Sequence, residues 1–151
     1  MTRICRCTAA LVASAAILFT VPLAGQERRI ISTPNAPAAI GPYSQAVQTG
    51  NILWLAGQIA IDPATNQVRH GTIEEETKLV LHNLKAVVEA AGMTMANIVS
   101  VTVFLKDLDE FPRMNAVYAS YFPTNPPARA TVQVARLPRD VRIEIAAVAV
   151  R

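Results

Sequence analysis

Residues 72–92 carry a full set of helix signals, and they constrain what the rest of the chain can become. Thr72 stands at an N-cap position, and Glu75, three residues on, completes a capping box. Glu74, Glu75 and Glu76 suit the positive end of a helix dipole. Ile73, Thr77, Val80, Leu81, Leu84, Val87, Val88 and Ala91 recur at helical spacing, and Gly92 supplies the stop. A second helix is predicted over residues 109–122. Asp109 is its cap, Pro112 is tolerated in its first turn, and Phe111, Met114, Val117, Tyr118 and Tyr121 form its apolar stripe.

The remaining patterned segments read as strands, over residues 29–32, 43–48, 52–61, 98–105, 128–135 and 141–150. Thr49-Gly50-Asn51 is a hairpin turn, and Asp62-Pro63 and residues 66–71 are turn chemistry. The order is β-β-β-α-β-α-β-β in one α+β domain. Two helices can cover only one face of such a sheet, so the other face is polar or covered by another subunit. In the last strand Val141, Ile143, Ile145, Ala147 and Ala149 make one face, and Arg142, Glu144, Ala146 and Val148 make the other. The second face is polar at one end and apolar at the other, which suits a subunit contact with a site in it.

The first 25 residues read differently. Arg3 and Arg6 come first, then the apolar or small run of residues 8–21, then Pro22-Leu23-Ala24-Gly25. These are the parts of a secretory signal, and the run is short for a membrane span of about 20 residues. The expectation is a signal peptide over residues 1–25, a mature domain over 26–151 without a membrane anchor, and a periplasmic or secreted location. Gln26 stands where a lipidated cysteine would have to be.

Charge and cysteine content follow from that cut. The whole chain carries 14 Lys and Arg against 11 Asp and Glu. Losing Arg3 and Arg6 leaves 12 against 11, a net charge near +1, which calls for no polyanionic partner. Aromatics are only 5% of the chain, too few for a base-stacking surface. Both cysteines, Cys5 and Cys7, leave with the signal, so the mature chain offers no disulfide and no thiol nucleophile.

No nucleophile elbow, phosphate loop, dinucleotide fingerprint or zinc-binding His-Glu-x-x-His occurs. His70 in a turn and His82 beside a helix stripe read as surface histidines, and no metal site is predicted. What remains are polar residues in apolar settings. Arg129 follows Pro126-Pro127-Ala128, Glu144 lies between Ile143 and Ile145, and Asn115 shares a helix side with Phe111 and Tyr118. Gly41-Pro42-Tyr43 is a rigid turn presenting a phenol, and Gly57 interrupts a strand. Spacing alone leaves a plain alternative open: an ion pair, a tied-down backbone group and a bulge.

Five local words occur in order. They are Ala38-Ala39-Ile40-Gly41-Pro42-Tyr43-Ser44-Gln45-Ala46; Gly57-Gln58-Ile59; Asn115-Ala116-Val117-Tyr118 with Tyr121-Phe122; Pro127-Ala128-Arg129 with Val134-Ala135-Arg136-Leu137-Pro138; and Ile143-Glu144-Ile145. Together they closely resemble the Rid family of reactive-intermediate (enamine/imine) deaminases, also called YjgF or L-PSP, over residues 31–151. The resemblance implies a chorismate-mutase-like mixed β-sheet with two helices on one face, and a homotrimer with sites between subunits. It implies hydrolysis of 2-imino acids to 2-keto acids and ammonia, with no metal or organic cofactor and no nucleic-acid partner.

Residue by residue, Arg129 matches the arginine that holds the substrate carboxylate, and Glu144 the glutamate that positions water. Tyr43, Gly57 and Asn115 match pocket residues. Two positions depart from the family's pattern. Ala56 stands where the active deaminases usually have serine, and Thr131 where they often have cysteine, a position used mainly through its backbone carbonyl. A guanidinium grips a carboxylate by two parallel hydrogen bonds. A carboxylate can orient water and accept its proton. An iminium carbon is already electrophilic, so no covalent nucleophile is needed. The alternatives are a carboxylate-binding or proteostasis member of the same fold without turnover, and a ribonuclease, which the charge and aromatic content disfavour.

Overall fold

A computed structural model describes residues 27–151. The predicted signal segment, residues 1–25, lies outside the described residues. The strands are β1 (Arg28–Ile31), β2 (Ala46–Thr49), β3 (Ile52–Ile59), β4 (Ile61–Asp62), β5 (Gln67–Val68), β6 (Ile98–Leu105), β7 (Ala128–Gln133) and β8 (Ile143–Val150). The helices are α1 (Ile73–Ala90), after β5, and α2 (Phe111–Tyr121), between β6 and β7. Six strands form one sheet in the order β1-β2-β3-β8-β6-β7, and β4 and β5 pair apart from it. β6 and β7 run parallel, and the other neighbours run antiparallel.

The α+β class and the mixed sheet with two helices are as the sequence predicts. α1 forms because its ends are chemically closed. Thr72 accepts from the Glu75 backbone N–H, and the Glu75 carboxylate accepts from the Thr72 N–H at 2.8 Å. Glu76 does not face solvent with its two neighbours. It is buried and accepts from the backbone N–H groups of Gly71 and Arg142, which fastens the helix start to the approach of β8. Val80, Leu81, Leu84, Val87 and Val88 pack on Leu53, Leu55, Val101, Val103, Ile143 and Ile145 of the sheet.

Three local features differ from expectation. Asp109 does not cap α2; Asp107 accepts from the Asp109 backbone N–H and starts a short 3-10 turn, so the α-helix begins two residues late. The segment after β3 contains the small β4-β5 hairpin, turned at Asn66 with a positive φ of 55°. Arg142 precedes β8 rather than lying in it. It leaves the open face and bonds Gly71 O and the Glu110 carboxylate.

A parallel pair needs a crossover, and α2 is that crossover from β6 to β7. Its position follows: α2 lies against α1 and over the β7 edge, where Met114 and Tyr118 enter the core. Among the described residues, the opposite face of the sheet carries no helix. Ile30, Trp54 and Val132 remain exposed, Trp54 at 52%.

Candidate active site

The six predicted site residues fall into two groups of three on opposite faces of the sheet. Face is set by register, because cross-strand partners project to the same side. Arg129 pairs with Val101, and Val101 with Ala147; both are buried under the helices. Arg129 and Thr131 therefore face the helix layer. Glu144 pairs with Phe104 and Ile59 and faces the open side. Arg129 and Glu144 are not an ion pair within one chain.

On the helix side, Arg129 Nη2 donates to Asn115 Oδ1 at 2.8 Å. The guanidinium carbon sits 4.4 Å from the centroid of the Tyr118 ring and 5.5 Å from that of Phe111. Phe111, Asn115 and Tyr118 lie four and three residues apart, so one face of α2 presents all three. No carboxylate pairs with Arg129 among the described residues. Among the described residues the buried Tyr118 hydroxyl has no hydrogen-bond partner, and the guanidinium lies over the face of its ring. Burial pushes the Tyr118 phenol above its ordinary pKa, and the Arg129 charge works the other way. Thr131 lines a neighbouring cavity of about 470 Å³ with Leu108, Phe111 and Pro112. Its hydroxyl is buried and unpartnered.

On the open side, β3 carries a bulge between Leu55 and Gln58, and Gly57 sits in it. A Cβ at Gly57 would collide with the Glu144 side chain, at 2.8 Å from its Cδ. Gly57 thus makes room for the carboxylate, and its φ is not positive, so space rather than backbone strain requires glycine. Glu144 has no ion-pair partner among the described residues, and partial burial raises its carboxyl above the usual range.

The Gly41-Pro42-Tyr43 turn is held as predicted. The Tyr43 N–H donates to Gly41 O at 2.8 Å, and its hydroxyl accepts from the Ile40 N–H at 3.2 Å. Buried Gln45 bonds Thr33, Ala36 and Pro37 and so anchors the loop. Tyr43 lines an open groove of about 690 Å³ with Arg28, Val47, Trp54 and Ala56.

The sequence reading missed the role of two residues here. Phe111 and Tyr118 read from sequence as members of the apolar stripe, yet both rings also lie against the Arg129 guanidinium. The available signal was their spacing around Asn115. A larger cavity of about 740 Å³, beside His82, Lys85 and Glu89 of α1, contains none of the six residues. Among the described residues, no three His, Cys, Asp or Glu side chains gather as metal ligands.

The comparisons cover the same stretch. The family described as Endoribonuclease L-PSP matches residues 33–151. The chain is 52% identical over 122 residues to a RutC family protein of Pyrococcus horikoshii, covering 81% of this chain and 97% of that one. It is 48% identical over 124 residues to the 2-iminobutanoate/2-iminopropanoate deaminase of Homo sapiens, covering 82% and 90%. The crystal structure of E. coli TdcF with bound serine superposes with a TM-score of 0.78 at 44% identity, covering 82% and 98%. Fold, site words and relatives agree over one stretch, and the chain belongs to the L-PSP family, also known as the Rid or YjgF family.

Proposed function

We propose that the protein hydrolyses 2-imino acids to 2-keto acids and ammonia, at sites that two subunits of a homotrimer complete together. The observation that carries this reading is a pair of charges unneutralised among the described residues: a half-buried guanidinium with no acid and a half-buried carboxylate with no base. Deaminase-named relatives near 48% identity support the reaction, and the serine bound to TdcF supports a small carboxylate ligand. A ribonuclease reading of the family description is disfavoured by a sequence with no basic run and only 5% aromatic residues.

In this mechanism Arg129 takes the substrate carboxylate through the N–H groups that Asn115 leaves unused. Glu144, from another copy's open face, orients a water toward the iminium carbon. The water oxygen bonds that carbon while the C=N π pair moves to nitrogen, and Glu144 accepts the proton. Glu144 then returns that proton to the nitrogen of the resulting carbinolamine, the C–N bond breaks and ammonia leaves, and the hydroxyl gives its own proton to Glu144 as it becomes the keto oxygen. A carboxyl with a raised pKa suits a general base that must later return a proton. Most of the acceleration comes from positioning.

Opposite faces require assembly. A second copy placed on the exposed apolar residues Ile30, Trp54 and Val132 brings its own helix-side corner toward Glu144, and it covers a patch that a soluble monomer rarely leaves open. Separately, from the basic start and apolar run of residues 1–25, we propose that the mature chain, from about residue 26, lies in the periplasm or outside the cell. Ammonia release from freshly generated 2-iminobutanoate or 2-iminopropanoate tests the reaction, and light scattering tests the assembly. The expected result is rapid release by a species of about three times the mature mass. A protein that binds 2-keto acids without releasing ammonia is a binder, and an active monomer overturns the shared site.

A further inference from the structure

We propose that Tyr118 and Phe111 are positioning residues for Arg129: their rings set the plane of the guanidinium, and so the direction from which a carboxylate is gripped. The inference rests on the carboxylate-binding role given to Arg129 above. β7 is the edge of the sheet, so strand neighbours restrain its side chains on one flank only. A long arginine there has many rotamers to lose. One hydrogen bond, to Asn115, fixes a point of the guanidinium but not its plane. The two rings supply what that bond does not, with the guanidinium carbon 4.4 Å from one ring centroid and 5.5 Å from the other. Arginine is the cation suited to this, because its delocalised, weakly hydrated plane stacks on aromatic faces.

The hydroxyl of Tyr118 is sealed from solvent and has no partner. It has no open path to a substrate, which makes Tyr118 a positioning residue and not a catalytic one. Phe111 connects the arrangement to the neighbouring cavity, since it lines that space with Thr131 while also facing the guanidinium. The clamp is built entirely within one protomer, from a helix face that any copy carries into the assembly.

The test compares wild type, Tyr118→Leu, Phe111→Leu and Tyr118→Phe, each first checked for folding by thermal melting. Two readouts are taken: binding of 2-oxobutanoate by calorimetry, and KM against kcat for 2-iminobutanoate. Tyr118→Leu is expected to weaken binding and raise KM about tenfold, within the range of roughly 2- to 30-fold for a lost cation–π contact, with kcat changed by less than about threefold. Phe111→Leu gives a smaller shift in the same direction, and Tyr118→Phe restores most of the affinity. A folded Tyr118→Leu with wild-type KM and binding overturns the clamp, and so does a Tyr118→Phe as weak as the leucine variant. Should Tyr118→Leu not fold, Phe111→Leu decides by the same criterion, since that ring is only half-buried. A wild type that binds 2-oxobutanoate but releases no ammonia overturns the deaminase reading alone, and the binding series still tests the clamp. A wild type that binds no carboxylate overturns both.

Discussion

The two faces of the sheet handle charge in different ways. On the helix side the positive group is held from three directions by residues of its own chain: an amide oxygen at 2.8 Å and two aromatic rings. On the open side the negative group is held by almost nothing. Glu144 has a glycine beside it, no ion pair among the described residues, and exposed apolar residues across the same face. On the shared site proposed above, one half is built within the protomer and the other takes its surroundings from a second copy, so a single short chain would supply both halves.

The largest effect should come from the finished half. Arg129→Ala is expected to lose carboxylate binding and most deaminase activity, about 30-fold to several thousand-fold, the range for removing one partner of a buried charged contact. Arg129→Lys should recover little, because a point charge cannot reproduce the planar fork or stack on Tyr118. Glu144→Gln should differ, with turnover falling while 2-oxobutanoate binding largely survives. Kinetics and calorimetry on the same trimeric preparations check this. If both variants keep wild-type activity and binding, the contrast between the two faces carries no chemistry.

A second substitution probes how loosely the other half is held. Gly57→Ala adds one methyl where the Glu144 carboxylate lies, and the bulge backbone accepts alanine without strain. The carboxylate must swing away. Displacement of a catalytic group by about 1 Å can cost on the order of 10²-fold, so kcat should fall on that scale while KM and melting temperature stay near wild type. An alanine variant with unchanged kcat would show that Glu144 works equally well from another rotamer. That would make the open face more tolerant than its geometry suggests.

The sequence made the two halves legible to different degrees. α1 was readable to within a residue, because its signals are local: cap, box, stripe and stop all lie within 21 consecutive positions. The alternation in β8 likewise placed Glu144 on the uncovered face, since Ile143, Ile145 and Ala147 mark the buried side without help from other strands. The strand over residues 128–133 gives a misleading mark. Ala128, Ala130 and Val132 make its apolar side, yet that side is the exposed one, and the side on which Arg129 projects is set by its pairing with Val101 of β6. That pairing is non-local, and a one-residue slip would reverse it. The start of α2 was misread for a related reason. Asp107, Asp109 and Glu110 are all acidic cap candidates within four residues, and only the 3-10 turn that Asp107 starts selects among them. The β4-β5 hairpin escaped because two-residue strands leave no period to detect.

The smallest effect is thermodynamic, and it belongs to the open face alone. Partial burial raises the Glu144 carboxyl above its ordinary range in the folded protein, whereas in the unfolded chain it titrates near 4.3. Below that value both states are protonated and the contribution of Glu144 to stability is fully present. As pH rises through the window up to the raised folded pKa, the unfolded chain gives up its proton first, and stability is lost. Above that window the native state carries an ionised carboxylate that it holds poorly. Asp62, Glu74 and Asp140 behave oppositely, because Arg69, Arg113 and Lys106 hold their carboxyls below the usual range, but they are common to wild type and variant and cancel in a comparison. Glu144→Gln removes the ionisation at every pH. It should melt with wild type in acid and slightly above it at pH beyond that window. Scanning calorimetry across that pH range measures the difference directly. A variant less stable than wild type at neutral pH would mean that a cation from another copy already holds Glu144, and the open face would then be as finished in the assembly as the helix side is in the protomer.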